Sequence, residues 1–490
     1  MIPSLSRLRQ AVACAESLPG IELYPYQVEG AAWCLRRSTL LAFDPGLGKT
    51  ITVLASLPLD QTAYLVVPKV ALGVWLQEIG RYTNQTQVVL ASGARRPKAE
   101  LVQLDGGGRI VSEQPCSDFS GRWVVLTHES VVPWATISLM SQGSPIVAGR
   151  FNFEDIEGVH APPPLTLIVD EIHRFGGHRS QRTQALLALG VECPRVIALT
   201  GTPLLGGSHR LWAPLQMIAP RERWGSWFDF VERYAAGVPR TVTPTGREPV
   251  QTMVPTGLSR EGELRERLAP YLLRYTRAQA AAHLPAETRQ KVPIWVRGSN
   301  RALTKAGDCL MKELRGRSGQ QPGSRFEQGE VLEALTTVAR VKVPYVVEHV
   351  KELVESGERV VVWVWFHATS RELYAGLHAA GVPSYTATGE VFDDELERNI
   401  RAWSQRPSVL IAGMAKIGEA ISVLADHCCH QDFLELPWLP EVLDQAAARL
   451  VRQNQKRPVS TRVLVLQIPF EQSLEQRLEQ RQAESREVIG

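Results

Sequence analysis

The run LLAFDPGLGKTITVLASL, residues 40–57, passes from an apolar stretch through a glycine-rich turn into a second apolar stretch of helical character. A strand over 40–43, a loop and a helix from about residue 51 give the context in which backbone amides can cradle phosphate oxygens at a helix N-terminus. Gly46 and Gly48 let the loop turn its amides inward. Lys49 is placed to reach the β- and γ-phosphates of a nucleotide, and the Thr50 hydroxyl to ligate Mg²⁺. Phe43 stands where the phosphate-loop pattern begins with glycine. The alternative is an ordinary turn that happens to read GLGKT, and the strand–loop–helix order argues against it.

A second stretch, LIVDEIH at 167–173, supplies acid. Asp170 would close an apolar strand and hold Mg²⁺ through water, while Glu171 would orient and deprotonate an attacking water. The C-terminal ends of parallel strands are where open α/β sheets bind ligands. An isolated Asp-Glu pair would more often cap a helix, but this one lies 121 residues beyond Lys49 in a chain that already carries a phosphate loop. His173 could relay nucleotide state, although a lone histidine decides little.

Working outward, β-branched runs alternate with amphipathic stretches in two regions. Strands are expected at 40–43, 63–67, 123–127, 165–169 and 195–199, then at 359–366, 383–386, 408–412, 432–436 and 461–468. Such alternation implies βαβ units and parallel sheets. The expected organisation is an N-terminal lobe over 1–213, a helical protrusion and linker over 214–338, and a C-terminal lobe over 339–490. In the middle part, Trp224, Trp227, Phe228, Phe230 and Tyr234 read as packing rather than base stacking. Residues 261–283 read as one helix carrying Leu264, Leu268, Leu272 and Leu273. Residues 315–330, rich in Gly, Gln, Ser and Arg, read as a linker.

Composition narrows the class. The chain has 490 residues, 44% hydrophobic and 21% charged, which suits a globular protein. The longest apolar run, residues 360–366, is seven long, against the ~20 residues of a membrane-spanning helix. Seven scattered cysteines do not suggest a disulfide framework, and residues 1–20 lack a signal-peptide core. A cytoplasmic protein is expected, nuclear in a eukaryote. Net charge is +3, yet residues 1–340 hold 38 basic against 30 acidic residues and 341–490 hold 16 against 21. The N-terminal excess is compatible with a polyphosphate or nucleic-acid partner.

These strings, in this order, resemble the superfamily 2 helicases and, within them, the Swi/Snf-like ATPases, over nearly the whole chain. LYPYQVEG at 23–30 is similar to the glutamine motif, which implies that Gln27 recognises adenine. Residues 43–50 look like motif I, 170–173 like motif II as D-E-I-H, Val67-Pro68-Lys69 with Trp75 like motif Ia, 125–129 like the next strand-end motif, and 200–203 (TGTP) like motif III. Residues 361–367 resemble motif IV, 412–422 motif V and 445–455 motif VI. The segments 342–367 and 433–438 are most similar to the annealing-helicase branch. In motif V, Glu419 replaces an apolar residue and one residue is inserted; in motif VI, Val451 and Asn454 replace the usual His and Gly.

The resemblance implies two tandem RecA-like lobes with a helical insertion and linker between them, ATP and Mg²⁺ as cofactors, and translocation on double-stranded DNA. Arg449 and Arg452, three apart on an expected helix and so on one face, would neutralise charge on the transferring phosphoryl group. Positions such as Lys69 would meet the DNA backbone, making binding dependent on salt rather than on base sequence. An RNA-directed DExH helicase shares the same nucleotide site. A weakly hydrolysing DNA clamp is the third reading, prompted by motif V, and a partner subunit carrying a nuclease would use the same motor. His427-Cys428-Cys429-His430 invites a zinc reading, but four consecutive residues beside a strand cannot wrap one tetrahedral ion; buried strand positions are expected instead.

Overall fold

A computed structural model describes residues 22–35, 37–57, 62–83, 85–93, 98–140, 164–204, 207–219, 224–242, 250–296, 300–316, 329–389, 393–414, 423–438, 440–452 and 454–489. Its contacts divide the chain into two compact units, Met1–Thr276 with Val488–Gly490, and Arg277–Glu487.

The first unit is built on a nine-stranded sheet. Its strands are β1 (Thr39–Phe43), β2 (Ala63–Val67), β3 (Gln87–Ser92), β4 (Lys98–Leu104), β5 (Ile110–Pro115), β6 (Val124–Thr127), β7 (Thr166–Val169), β8 (Arg195–Leu199) and, after a separate two-stranded hairpin of β9 (Val238–Val242) and β10 (Val250–Val254), β11 (Leu272–Tyr275). They lie in the order β11-β1-β8-β7-β2-β6-β3-β4-β5. Every pairing from β11 to β3 is parallel, and β4 and β5 turn antiparallel at the far edge. β1, β2, β6, β7 and β8 are buried at every position, which is why their sequences are dominated by apolar residues: a parallel sheet covered by helices on both faces leaves no polar side.

The second unit carries a six-stranded, wholly parallel sheet. β12 (Glu287–Ile294), β13 (Val360–Val364), β14 (Ser384–Ala387), β15 (Val409–Gly413), β16 (His430–Phe433) and β17 (Val459–Leu466) lie in the order β12-β17-β16-β13-β15-β14. The chain is therefore α/β with two parallel-sheet lobes, as expected from its alternating pattern.

The ten expected strands are present, their ends shifted by no more than a few residues. The middle segment differs from its reading. Residues 261–283 are not one helix: the helix Glu261–Leu268 stops before Pro270, Leu272 and Leu273 belong to β11, and a short 3-10 turn follows at Ala281–His283. Pro270 lacks the backbone donor that a further helical turn would need. The division between units falls at Thr276/Arg277 because β11 closes the first sheet and β12 the second. Trp224, Trp227, Phe230 and Tyr234 are buried, as expected of packing, while Phe228 is exposed. Most of the expected linker, 317–328, lies outside the described residues.

Lys342, in the long helix Glu330–Glu355, is fully buried in the second unit. Its ammonium donates to the carbonyls of Leu434 (3.1 Å) and Leu464 (2.9 Å) and to Glu471 Oε1 (2.5 Å). One cation thus ties a helix to the ends of β16 and β17. Lys342→Ala should lower unfolding free energy by about 3–5 kcal/mol, the scale for removing one partner of a buried pair. Urea denaturation checks this, and Lys342→Met with Glu471→Gln should recover much of the loss.

Candidate nucleotide site

Four adjacent strands, β1, β8, β7 and β2, bring their C-terminal ends to one edge of the first sheet. β1 runs into the loop 44–48, β8 into 200–203, β7 into 170–173 and β2 into Pro68. The stretches singled out in the sequence therefore meet because parallel strands all end on the same side.

In the loop, Gly46 and Gly48 have φ of 88° and 73°, a left-handed conformation that side chains resist. A Cβ on Gly48 would also collide with the Gln27 amide. Gln27 is buried; its Nε2 donates to Leu47 O (3.2 Å) and its Oε1 accepts from Tyr24 N (3.0 Å). Tyr26 Oη donates to the same Leu47 carbonyl at 3.3 Å. The helix Pro25–Cys34 thus holds the loop from one side.

Lys49 and Thr50 open the helix Lys49–Leu54. Lys49 Nζ donates to Phe43 O (2.9 Å) and lies 3.5 Å from Asp44 O. Burial pushes the Lys49 amine below its ordinary value, while Glu171, Asp170 and Asp44 act in the other direction. Gly201 packs close by: a Cβ there would press on Pro45 and come within 3.4 Å of Lys49 Nζ.

The Asp170 carboxylate is held by two donors, Trp75 Nε1 on Oδ2 (3.0 Å) and Glu171 N on Oδ1 (2.9 Å). Burial, then the neighbouring Glu171, pushes its pKa up to about 6, with Trp75 opposing. His128 is buried beneath, and burial lowers its pKa to about 3. A neutral ring 2.9 Å from the Asp170 carbonyl must carry its proton on Nε2 to make that bond. Glu171 sits in the left-handed region (φ 48°), a strain that residues other than glycine keep mainly at functional sites. Burial opposes its charge, but His173, Lys49 and Arg174 outweigh that and hold the carboxyl below its ordinary value. His173 Nδ1 lies 3.2 Å from Glu171 Oε2 and 3.1 Å from Thr200 Oγ1, which also accepts from Thr202 N (3.0 Å). Apart from this approach of His173, the buried Glu171 Oε2 has no hydrogen-bond partner among the described residues.

The structure thus assembles Gln27, Gly46, Gly48, Lys49, Thr50, Asp170 and Glu171 in the first unit, beside His173. The donor set fits a magnesium polyphosphate: a lysine and glycine loop for the anion, and a hydroxyl and an oriented carboxylate for the metal. Trp75 and His128 lay in motif-like stretches, but their sequence did not disclose that they hold Asp170. Arg274, against Asp44, was hidden in a stretch that reads as helix.

Arg449 and Arg452 lie in the second unit. They do not share a helix face: the helix Pro440–Ala447 has ended, and both sit in successive turns. Leu450 and Val451, at 0% and 2% exposure, pull the chain into the core between them. Asn454 Nδ2 donates to Asp426 Oδ1 (2.6 Å), and Gln455 Nε2 to the carbonyls of Ala425 (2.9 Å) and Cys428 (2.6 Å), so motif VI is tied to the chain beyond motif V. Glu419 falls within 415–422, outside the described residues. Cys428 and Cys429 are buried, and the Cys428 thiol donates to Arg359 O (2.9 Å). Among the described residues, Glu358, Cys429 and His430 bring possible ligand atoms within 4.8 Å of one another. Arg457 already forks the Glu358 carboxylate, at 2.8 and 3.0 Å.

The SNF2-related domain family matches residues 26–303, more than half of the chain and all of the first-unit site. The chain belongs to that family. Among curated relatives, the SNF2-related chain is 21% identical to the DNA annealing helicase and endonuclease ZRANB3 of Mus musculus over 453 residues, 91% of this chain and 38% of the relative. It is 27% identical to the ISWI chromatin-remodeling complex ATPase ISW1 of Saccharomyces cerevisiae over 211 residues, 41% of this chain and 16% of the relative. It spans under two fifths of the length of these relatives. A solved Sulfolobus solfataricus SWI2/SNF2 ATPase core in complex with dsDNA is 16% identical, with 96% of this chain and 94% of that one covered and a TM-score of 0.38. Among the described residues, no helix is long and apolar enough to cross a membrane.

Trp75→Phe keeps the ring and removes the donor to Asp170. Mg²⁺–ATP binding should weaken about three- to tenfold, the range for one net hydrogen bond. The loss should appear in nucleotide binding while the thermal midpoint of the chain stays close to wild type, since the aromatic packing is largely kept. Calorimetric titration with Mg²⁺–ATP, beside a thermal melt, checks this.

Proposed function

We propose that this SNF2-related chain is an ATP-hydrolysing motor that acts on double-stranded DNA. The observation that carries the reading is the convergence of Lys49, Asp170 and Glu171 at adjacent strand ends, in a chain whose family match spans all three. Lys49 would leave the Phe43 carbonyl for the β- and γ-phosphates, and the amides around Gly46 and Gly48 would complete the cradle. Thr50 and Asp170 would hold Mg²⁺, which when bound neutralises charge building on the phosphates. Gln27 has a second amide N–H besides the one given to Leu47, so adenine can be read without releasing the loop.

Glu171 would orient the water and take its proton. Its Oε2 meets only His173 Nδ1, at 3.2 Å, and so keeps lone-pair capacity to accept from a water. His173 joins Glu171 to Thr200, so a change in charge at Glu171 is felt in the 200–203 loop. Arg449 and Arg452 are assigned to neutralising charge in the transition state. Lys69, exposed in the turn after β2, is assigned to the DNA backbone, which makes binding fall as salt rises.

Turnover and nucleotide binding, measured separately with duplex DNA present, test the proposal. Lys49→Ala should fold and lose hydrolysis. Glu171→Gln should bind ATP and turn over at least ~10²-fold more slowly, the scale of acid–base contributions. Arg452→Ala should keep binding and lose stimulated hydrolysis. Near-normal turnover in folded Lys49→Ala would end the assignment of the loop, and loss of ATP binding in Glu171→Gln would make that residue structural.

A further inference from the structure

Arg274 lies on β11, the parallel neighbour of β1, directly opposite Ala42. Its guanidinium reaches three separate groups. Nη2 pairs with Asp44 Oδ1 at 2.5 Å, and Nη1 donates to Ala42 O at 2.6 Å and Gly201 O at 3.4 Å. One side chain therefore fastens the end of β1, the phosphate loop and the loop after β8. At 18% and 21% side-chain exposure, the Arg274–Asp44 pair is largely shielded from solvent.

This pairing matters because of where Asp44 sits. It is inside the loop that would cradle a polyphosphate, two residues before Gly46, and its own carbonyl lies 3.5 Å from Lys49 Nζ. Glu171, Asp170 and Asp44 all bear on Lys49 as nearby negative charge, and Arg274 as the opposing positive one. A carboxylate in the cradle would repel an incoming triphosphate unless a fixed cation offsets it. We propose that Arg274 is a positioning residue that neutralises Asp44 and thereby sets the affinity of this loop for nucleotide polyphosphate. The inference rests on reading the loop as an ATP site. Arginine suits the task better than lysine, since its planar fork serves the carboxylate from one nitrogen and the two carbonyls from the other.

A purely structural Arg274, one that only fastens β11 to the sheet, would behave differently on charge removal, and this decides the test. The full chain is titrated with Mg²⁺–ATP, and its thermal midpoint is recorded alongside. Arg274→Ala should weaken binding ~10-fold or more, the order expected for exposing a phosphate to an uncompensated nearby charge in a partly shielded site. Arg274→Ala with Asp44→Asn should recover most of that loss, because the repelling charge has gone while the contacts of Arg274 to Ala42 and Gly201 are still missing. Arg274→Lys should fall between wild type and Arg274→Ala. Should Arg274→Ala not fold, Arg274→Gln supplies the same neutral background with a donor to Ala42 retained. Undiminished binding in the neutral variant, or a double variant as weak as the single one, would overturn the proposal while leaving the ATP site standing. A wild-type chain that does not bind Mg²⁺–ATP would remove the ATP reading and this inference together.

Discussion

Asp170 is the group on which the first unit is organised. A carboxylate at the end of an apolar strand is costly to bury, and it persists only where hydrogen bonds and nearby positive charge compensate it. Here the compensation comes from three places, the Trp75 indole, the amide of Glu171 and the ammonium of Lys49, while the His128 ring fixes the backbone carbonyl of Asp170. Each belongs to a different segment, and each must arrive at the same sheet edge. The parallel order β1-β8-β7-β2 is what brings them there. Glu171, directly after Asp170, holds a left-handed backbone at φ 48°.

The second unit uses the same device for a different end. Lys342 and Glu471 are buried together beneath β16 and β17, while Glu435 accepts from the amides of Trp365 (2.6 Å) and Phe366 (3.3 Å) and from Thr369 Oγ1 (2.7 Å). Burial raises the carboxyls of both Glu471 and Glu435. These ties bind the long helix and the ends of three strands into one body. The segments 342–367 and 433–438, distinctive at the level of sequence, thus contribute members of a buried polar network. Such networks fix a single arrangement only when every member is satisfied.

Most of the buried strands and the phosphate loop were legible because their signals are local, although β3, inside the first sheet, was not expected. An unbroken apolar run followed by GLGKT, or by DEIH, can be read without knowing what lies beside it. β4, β5 and β12 escaped because they lie toward or at sheet edges, where one face meets solvent and the sequence turns polar. β11 escaped because leucines at 264, 268 and 272 imitate a helix until Pro270 interrupts it. The hold of Trp75 and His128 on Asp170 and the pairing of Arg274 with Asp44 depend on strand neighbours far apart in sequence, which no local pattern encodes. Arg449 and Arg452 show the converse: three-residue spacing suggested one helix face, but the helix ends at Ala447 and the chain passes through turns with Leu450 and Val451 buried.

The central claim is that the Lys49–Asp170–Glu171 centre hydrolyses ATP in response to duplex DNA. The most direct measurement is the initial rate of Mg²⁺-dependent ATP hydrolysis by the wild-type chain with no nucleic acid, blunt duplex DNA, single-stranded DNA and RNA, at matched salt. Duplex DNA should raise the rate well above the rate without nucleic acid, with the stimulation declining as salt increases. A rate indifferent to duplex DNA, or raised by RNA alone, would contradict the account.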